Sequence, residues 1–396
     1  MSSPRAIALA VATVFLGVAS AAACRFNVRD VGFVDLGSEP YRYLCFIDSA
    51  TPAAQAEAIG QISAAAFLDA NIEAEVVNLA KLEDQQALEH YRLAGSPEAP
   101  AAVLVAPDGS RAMAMPLVDN GALLQESLWT NMERVYESDV RDSLIGKVIE
   151  SYAVIIIVEG TDADENTRVR GAADGTVTKI SAVLDKLEKA IDQPPVVHVI
   201  PADQAESEQV FLWSLGIDAA DRQQASVAVL YGRGRQLGNV IEGEAITESE
   251  LFRITATVGL NCECGLDRAW MQGAMIPMKW PDERQKLVAS LLGFDAEDPK
   301  IKMEMSQILS KGADSSGGRD RQRPQRGTGI DDLLGAYEEF ALGEAASVRT
   351  DEDGLKSAEL ETAATSGVAA IALVTLAVAV LLGGTIIALR GRTRHG

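Results

Sequence analysis

Hydrophobic and polar positions along residues 26–262 alternate between strand-like and helix-like spacing. Residues 26–36 (FNVRDVGFVDL) read as an irregular strand, and Gly37-Ser38-Glu39-Pro40 is a turn signal. Tyr41 to Asp48 (YRYLCFID) alternates and then becomes continuously apolar, the pattern of a buried strand. An Ala-rich helix is predicted from Pro52 to about Ala70, a strand over 72–79 (IEAEVVNL) and a helix over 81–93. Pro100 to Gly109 predicts a strand ending in a Pro-Asp-Gly turn, with Arg111 to Leu117 pairing back. One helical stretch is expected from about Gly121 to Glu150.

The order then repeats. Ala153 to Glu159 (AVIIIVE) is β-branched and apolar throughout, as in a strand buried on both faces. Ile180, Val183, Leu184, Leu187 and Ile191 fall at helical spacing and predict a helix over 176–191. Strands are expected over 196–200 and 225–231, a helix over 207–215, a turn at Gly232 and Gly234, a returning strand over 236–241 and a helix over 249–259. Each half therefore reads β-α-β-α-β-β-α, which argues for an α/β layer fold present twice.

This order resembles the thioredoxin fold over roughly residues 41–150 and 152–262. The resemblance implies a proline before the third strand of each module. Pro100 stands there in the first half, and Gln224-Ala225-Ser226 in the second. It also implies a Cys-x-x-Cys motif after the first strand. Those places hold Asp48-Ser49-Ala50-Thr51-Pro52 and Gly160-Thr161-Asp162-Ala163, with no thiol in either. The chain also looks like a family of exported bacterial membrane proteins with tandem thioredoxin-like modules lacking that motif. That likeness implies an architecture and carries no assigned activity.

The two ends add a topology. In residues 1–23, Arg5 precedes an apolar run from Ala6 to Val18, and small residues from Ser20 to Ala23 suit cleavage: the composition of a signal peptide. Cys24 would then lie at or near the new N-terminus, but Ala21 departs from the aliphatic residue of a lipoprotein signal. Residues 367–389 carry no charge over 23 positions, enough to cross ~30 Å of hydrocarbon. Arg390, Arg392 and Arg394 follow, and Glu359 and Glu361 precede, which places the C-terminus in the cytoplasm. The expected organisation is a signal peptide (1–23), module one (24–150), module two (151–262), a helical extension (263–310) and a flexible acidic linker (311–366). A transmembrane helix (367–389) and a cytoplasmic tail (390–396) complete it. Within the linker, Ile330, Leu333, Leu334, Tyr337 and Phe340 suit a short amphipathic helix.

Charge and composition narrow the function. The formal net charge of −22 disfavours nucleic acid as a partner. Four cysteines are too few for a disulfide scaffold, so the cores must carry stability. Three histidines restrict metal sites and histidine catalysis; no cofactor or metal is expected. His198, in a predicted core strand, reads as a hydrogen-bonded core residue, and His90 as solvated. Asp162-Ala-Asp164-Glu165-Asn166 lacks the remainder of a calcium loop and reads as a solvated acidic loop. Gly232 to Gly238 joins two strands, so it is not a dinucleotide loop.

Two candidate features remain. Cys262 and Cys264 form an unusual Cys-x-Cys pair, either structural or a redox pair for disulfide exchange. Four cysteines permit three pairings, Cys24 with Cys45 being one candidate disulfide. Trp270, Met271, Met275, Met278 and Trp280 form an apolar stretch, read either as packing on module two or as an exposed partner surface. Together these readings describe an extracytoplasmic, single-pass binding or scaffold protein with a protein partner. The alternative is thiol-disulfide exchange through Cys262 and Cys264.

Overall fold

The computed structural model describes residues 25–81, 84–117, 125–187, 189, 191–220, 222–260 and 272–315. The segments expected to be a signal peptide (1–23) and a transmembrane helix (367–389) lie outside them, as does the expected linker beyond residue 315; its first residues, 311–315, instead close a helix over Pro299–Ser315. Among the described residues no helix is long and apolar enough to cross a membrane.

Two mixed sheets organise the chain. The first comprises β1 (Tyr41–Ile47), β2 (Ile72–Asn78), β3 (Ala101–Val105) and β4 (Ala112–Met115) in the order β2-β1-β3-β4. β1 runs parallel to β2 and antiparallel to β3, which pairs antiparallel with β4. The parallel crossover is made by α2 (Ala53–Ala66), while α3 (Gln85–Leu93) leads into β3. The second sheet repeats the plan with β5 (Val154–Val158), β6 (Val196–Ile200), β7 (Ser226–Tyr231) and β8 (Arg235–Gln236) in the order β6-β5-β7-β8. Here α6 (Ala163–Ser181) makes the crossover and α7 (Gln209–Leu215) precedes β7. The returning strand expected over 236–241 is split, with β9 (Ile241–Glu242) pairing further along β7. The peptide before Pro100 is cis, directly ahead of β3. Strand order, directions and helix placement are those of a thioredoxin-like fold in both halves.

Four local features of the fold differ from those expected of the sequence. Residues 26–36 are not a strand: α1 (Val28–Phe33) forms there, opened by a reciprocal capping box between Asn27 and Asp30. All six of its residues are buried, so no amphipathic helical period shows in the sequence. The stretch to Glu150 is two helices, α4 (Gln125–Tyr136) and α5 (Asp139–Glu150), because extended Ser138 breaks the path and caps α5 through Arg141 N. The crossover helix begins at Ala163, not 176, since Asp162 accepts hydrogen bonds from Asp164 N and Glu165 N. His90 is buried rather than solvated: its Nε2 lies 3.2 Å from Gly109 O, and its Nδ1 has no partner among the described residues.

The division of the core also differs from the chain order. Phe26, Val31, Phe33 and Val34 pack into the second module's core together with Leu144, Val148 and Ile149 of α5. Residues 26–34 and α5 thus belong physically to module two. Gly32 and Gly232 explain the fit: a Cβ on Gly232 would sit 2.4 Å from the Gly32 backbone, and one on Gly32 would meet the Tyr231 ring at the same distance. Arg235, wholly buried, donates to Gly32 O, Val34 O and Ser38 Oγ and fixes this crossing.

α7 lies on the seam between modules. Its Phe211, Leu212 and Leu215 enter the second core, while Val210 and Trp213 pack against the first. Arg111 of module one donates to Trp213 O and stacks 5.2 Å from the Trp213 ring. After α8 (Glu248–Ala256), residues 274–280 form an extended strap across the same seam. Gln236 N donates to Ala274 O and Ile276 N to Gly234 O on the module-two side. On the module-one side, Tyr41 Oη donates to Met275 O, Asn71 N to Met278 O, and Trp280 N to Asp69 O. α9 (Asp282–Leu292) and α10 (Pro299–Ser315) then return to module two, where Val288, Leu292, Ile301 and Met305 join its core.

Candidate functional site

The loop that follows the first strand of each module is where the fold gathers a strand end, a helix start and the approach to the third strand. In module one, extending the β1–β3 register past Phe46↔Ala101 places Asp48 opposite Ala99, the residue before cis-Pro100. Asp48 turns the chain by itself. Its Oδ1 accepts from Ala50 N (3.0 Å), Thr51 N (2.9 Å) and Thr51 Oγ1 (2.8 Å). The Thr51 hydroxyl in particular holds the Asp48 carboxyl below its ordinary range. The loop is thus a closed hydrogen-bonded turn with an ionised carboxylate at the place where a thiol pair would stand.

In module two the β5–β7 register, continued past Val158↔Ser226, sets Gly160 opposite Gln224. The backbones touch here: a Cβ on Gly160 would lie 2.3 Å from Gln223 O. Only glycine permits that approach. Asn166 clamps Gly160 through both main-chain groups, at 3.1 and 2.9 Å, and Thr161 N donates to Arg222 O at 3.1 Å. Beside this loop opens a cleft of about 620 Å³. Its walls carry the carboxylates of Asp162, Glu165 and Glu244 and the amides of Gln223 and Gln224. Arg168, the one cation among the described residues of the wall, is drawn onto carbonyls of the 243–246 turn: it donates to Ile246 O at 2.5 Å and Gly243 O at 3.0 Å. The cleft therefore offers acceptors and amides to a polar ligand, and its described walls hold no thiol.

The cysteines expected to matter divide. Cys45 is a free thiol, fully buried in β1, and burial pushes it up to about 12. A thiol so placed supplies no thiolate near neutral pH. Cys24, its candidate partner, lies outside the described residues, as do Cys262 and Cys264. The residues flanking the Cys-x-Cys segment both lie against α1: Leu260 O accepts from Val28 N, and Gln272 Nε2 donates to Val31 O and Val34 O.

Met275, Met278 and Trp280 are not an exposed partner surface. They are at most 5% exposed, because the strap carries them into the seam and onto module two. Trp270 and Met271 lie outside the described residues. His198 sits on the edge strand β6, half-buried, its Nδ1 3.1 Å from Lys147 Nζ. Desolvation and then the Lys147 charge hold it below the ordinary histidine range, so it is neutral at pH 7. Asp162 to Asn166 is the start of α6, and no group of three metal-ligating side chains occurs among the described residues.

The sequence reading missed the cleft. Asp162-x-x-Glu165 ahead of a helix is a start signal that would have located its rim. Gln223 and Glu244 carry no local signal, since they reach the cleft from distant loops.

No protein-family model matches the chain, and no curated protein matches it. Solved structures to which it is similar include the first two thioredoxin domains of Saccharomyces cerevisiae Eps1p, 13% identical over 55% of this chain and 92% of that one, with a TM-score of 0.21. Zinc-bound human ERp44 is 12% identical over 60% of this chain and 61% of that one, with a TM-score of 0.20. The first two thioredoxin domains of Naumovozyma dairenensis Eps1p are 12% identical over 57% of this chain and 92% of that one, with a TM-score of 0.17. At such scores these likenesses carry no argument, and the fold rests on the strand order and directions given above.

Proposed function

We propose that this chain is a membrane-anchored extracytoplasmic binding protein, in which two thioredoxin-like modules serve as an interaction platform without thiol chemistry. The observation that carries the reading is the content of the two loops after β1 and β5. Asp48 to Pro52 and Gly160 to Ala163 contain no cysteine, and both are locked by hydrogen bonds of their own. The cleft beside Thr161 is the binding site, and its acceptor-rich wall selects a polar protein segment. The anchor reading is supported by the uncharged run at 367–389 and its arginine flank, and export by residues 1–23. Membership of a family of exported tandem-module proteins belongs to the same proposal.

The test is a photoreactive residue introduced in place of Thr161 in the full-length chain, expressed in its own cells. The reading expects a discrete adduct that is lost when Gln224→Arg fills the cleft, and protease accessibility of residues 25–315 from the outer face alone. A Thr161 probe without any adduct, or cleavage of those residues only from the cytoplasmic side, would overturn it. The competing reading, disulfide exchange through Cys262 and Cys264, rests on their close spacing in an exported chain.

A further inference from the structure

β6 ends the second sheet, with β5 on one side and, among the described residues, no strand on the other. The bonds to β5 run through its even-numbered residues: Val196 N donates to Ala153 O, and Ile200 O accepts from Glu159 N, with His198 between them in register with Ile156. Val197 and Val199 therefore aim their N–H and C=O groups out of the sheet, and among the described residues these four groups have no partner. The next outward positions in either direction are Pro195 and Pro201, which have no N–H. The donors of the open edge are thus bounded to two, Val197 N–H and Val199 N–H, symmetric about His198.

We propose that β6 is a self-association edge, on which a second copy of this chain pairs antiparallel about a two-fold axis through His198. That register sets Val197 against Val199 of the copy and Val199 against its Val197, so all four open groups on each strand are used. An axis through residue 197 would oppose Val199 to Pro195, and an axis through residue 199 would oppose Val197 to Pro201, each leaving a valine carbonyl without a donor. Charge also selects this edge. Residues 194–201 (PPVVHVIP) carry no carboxylate, whereas self-pairing of the other free parallel edge, β2, would oppose Glu73 and Glu75 in a chain of net charge −22. A five-residue edge buries less than the ~1,200 Å² typical of stable complexes, so the dimer is weak and is best trapped covalently.

The test is His198→Cys in the full-length chain, oxidised by dioxygen with a copper–phenanthroline catalyst and mapped by mass spectrometry. Opposed non-hydrogen-bonded positions lie about 4.5 Å apart at Cα, within disulfide reach. Val197→Cys copies would lie about 8.5 Å apart, beyond it. The expected result is a disulfide joining the two copies at position 198, formed at least ten-fold faster than any joining position 197. Adding Val199→Pro, which removes an outward donor but no bond to β5, is expected to slow it by a similar factor. Equal cross-linking at 197 and 198, no cross-link at 198, or indifference to Val199→Pro in a chain whose near-ultraviolet circular dichroism is native would overturn the proposal.

Discussion

Replacing Asn71 by alanine removes the side chain that clasps the strap to module one. Asn71 Nδ2 donates to Ile276 O and Asn71 Oδ1 accepts from Met278 N, both at 2.9 Å. Met278 is 1% exposed, so its N–H gains no water when Asn71 is shortened. Two lost hydrogen bonds at about 1 kcal/mol each, with one stranded buried donor, give an expected loss of about 2–4 kcal/mol. For a folded unit of this size that is a fall in Tm of roughly 4–8 °C. The variant is also expected to broaden or split the transition, because the strap couples two separate cores. Differential scanning calorimetry of the full-length chain reads both effects. A Tm within about 1 °C of wild type, with an unchanged single transition, would refute the clasp.

Three further outcomes follow from named contacts. Gly160→Ala places a Cβ against Gln223 O and is expected to cost about 1–3 kcal/mol by urea denaturation, and a neutral effect would contradict the close approach. Cys45 is expected to resist iodoacetamide at pH 8 in the native chain and to label fully once denatured; native labelling at the denatured rate would contradict its burial. Burial lifts the Glu208 carboxyl above its ordinary range while Ser138 and Arg141 pull the other way, so its contribution to stability is full at acid pH and lost as pH rises through the folded-state value. Glu208→Gln keeps an acceptor for Ser138 Oγ, and its stability relative to wild type is expected to rise between about pH 4 and pH 7; a flat or falling difference would show the carboxylate to be favoured by the fold.

Much of the architecture was legible because it is local. β5 is a continuous apolar run, β1 and β7 become one after Arg42 and Ser226, and Pro107-Asp108-Gly109 and the glycines at 232 and 234 punctuate the hairpins. The repeat of element order, together with Pro100 ahead of β3, was sufficient to suggest a thioredoxin-like plan. What escaped was either capped or distant. α1 resembles a strand in sequence because its six residues are all buried and show no period, although Asn27-x-x-Asp30 is a cap signal. The break at Ser138 and the start at Asp162 are likewise single-residue events within helical composition. The strap joins Asn71 to residues 276–278 across more than 200 positions, and no local pattern announces such a contact. The cleft has the same origin, since Gln223 and Glu244 approach Thr161 from separate loops.

The claim at the centre is that the modules bind without exchanging disulfides, and an insulin-reduction assay of the full-length chain with dithiothreitol tests it most directly. The expected result is a rate equal to the uncatalysed one, the same for wild type and for Cys262→Ser with Cys264→Ser. A rate well above background that the double substitution abolishes would contradict the account and assign the chemistry to the Cys-x-Cys pair.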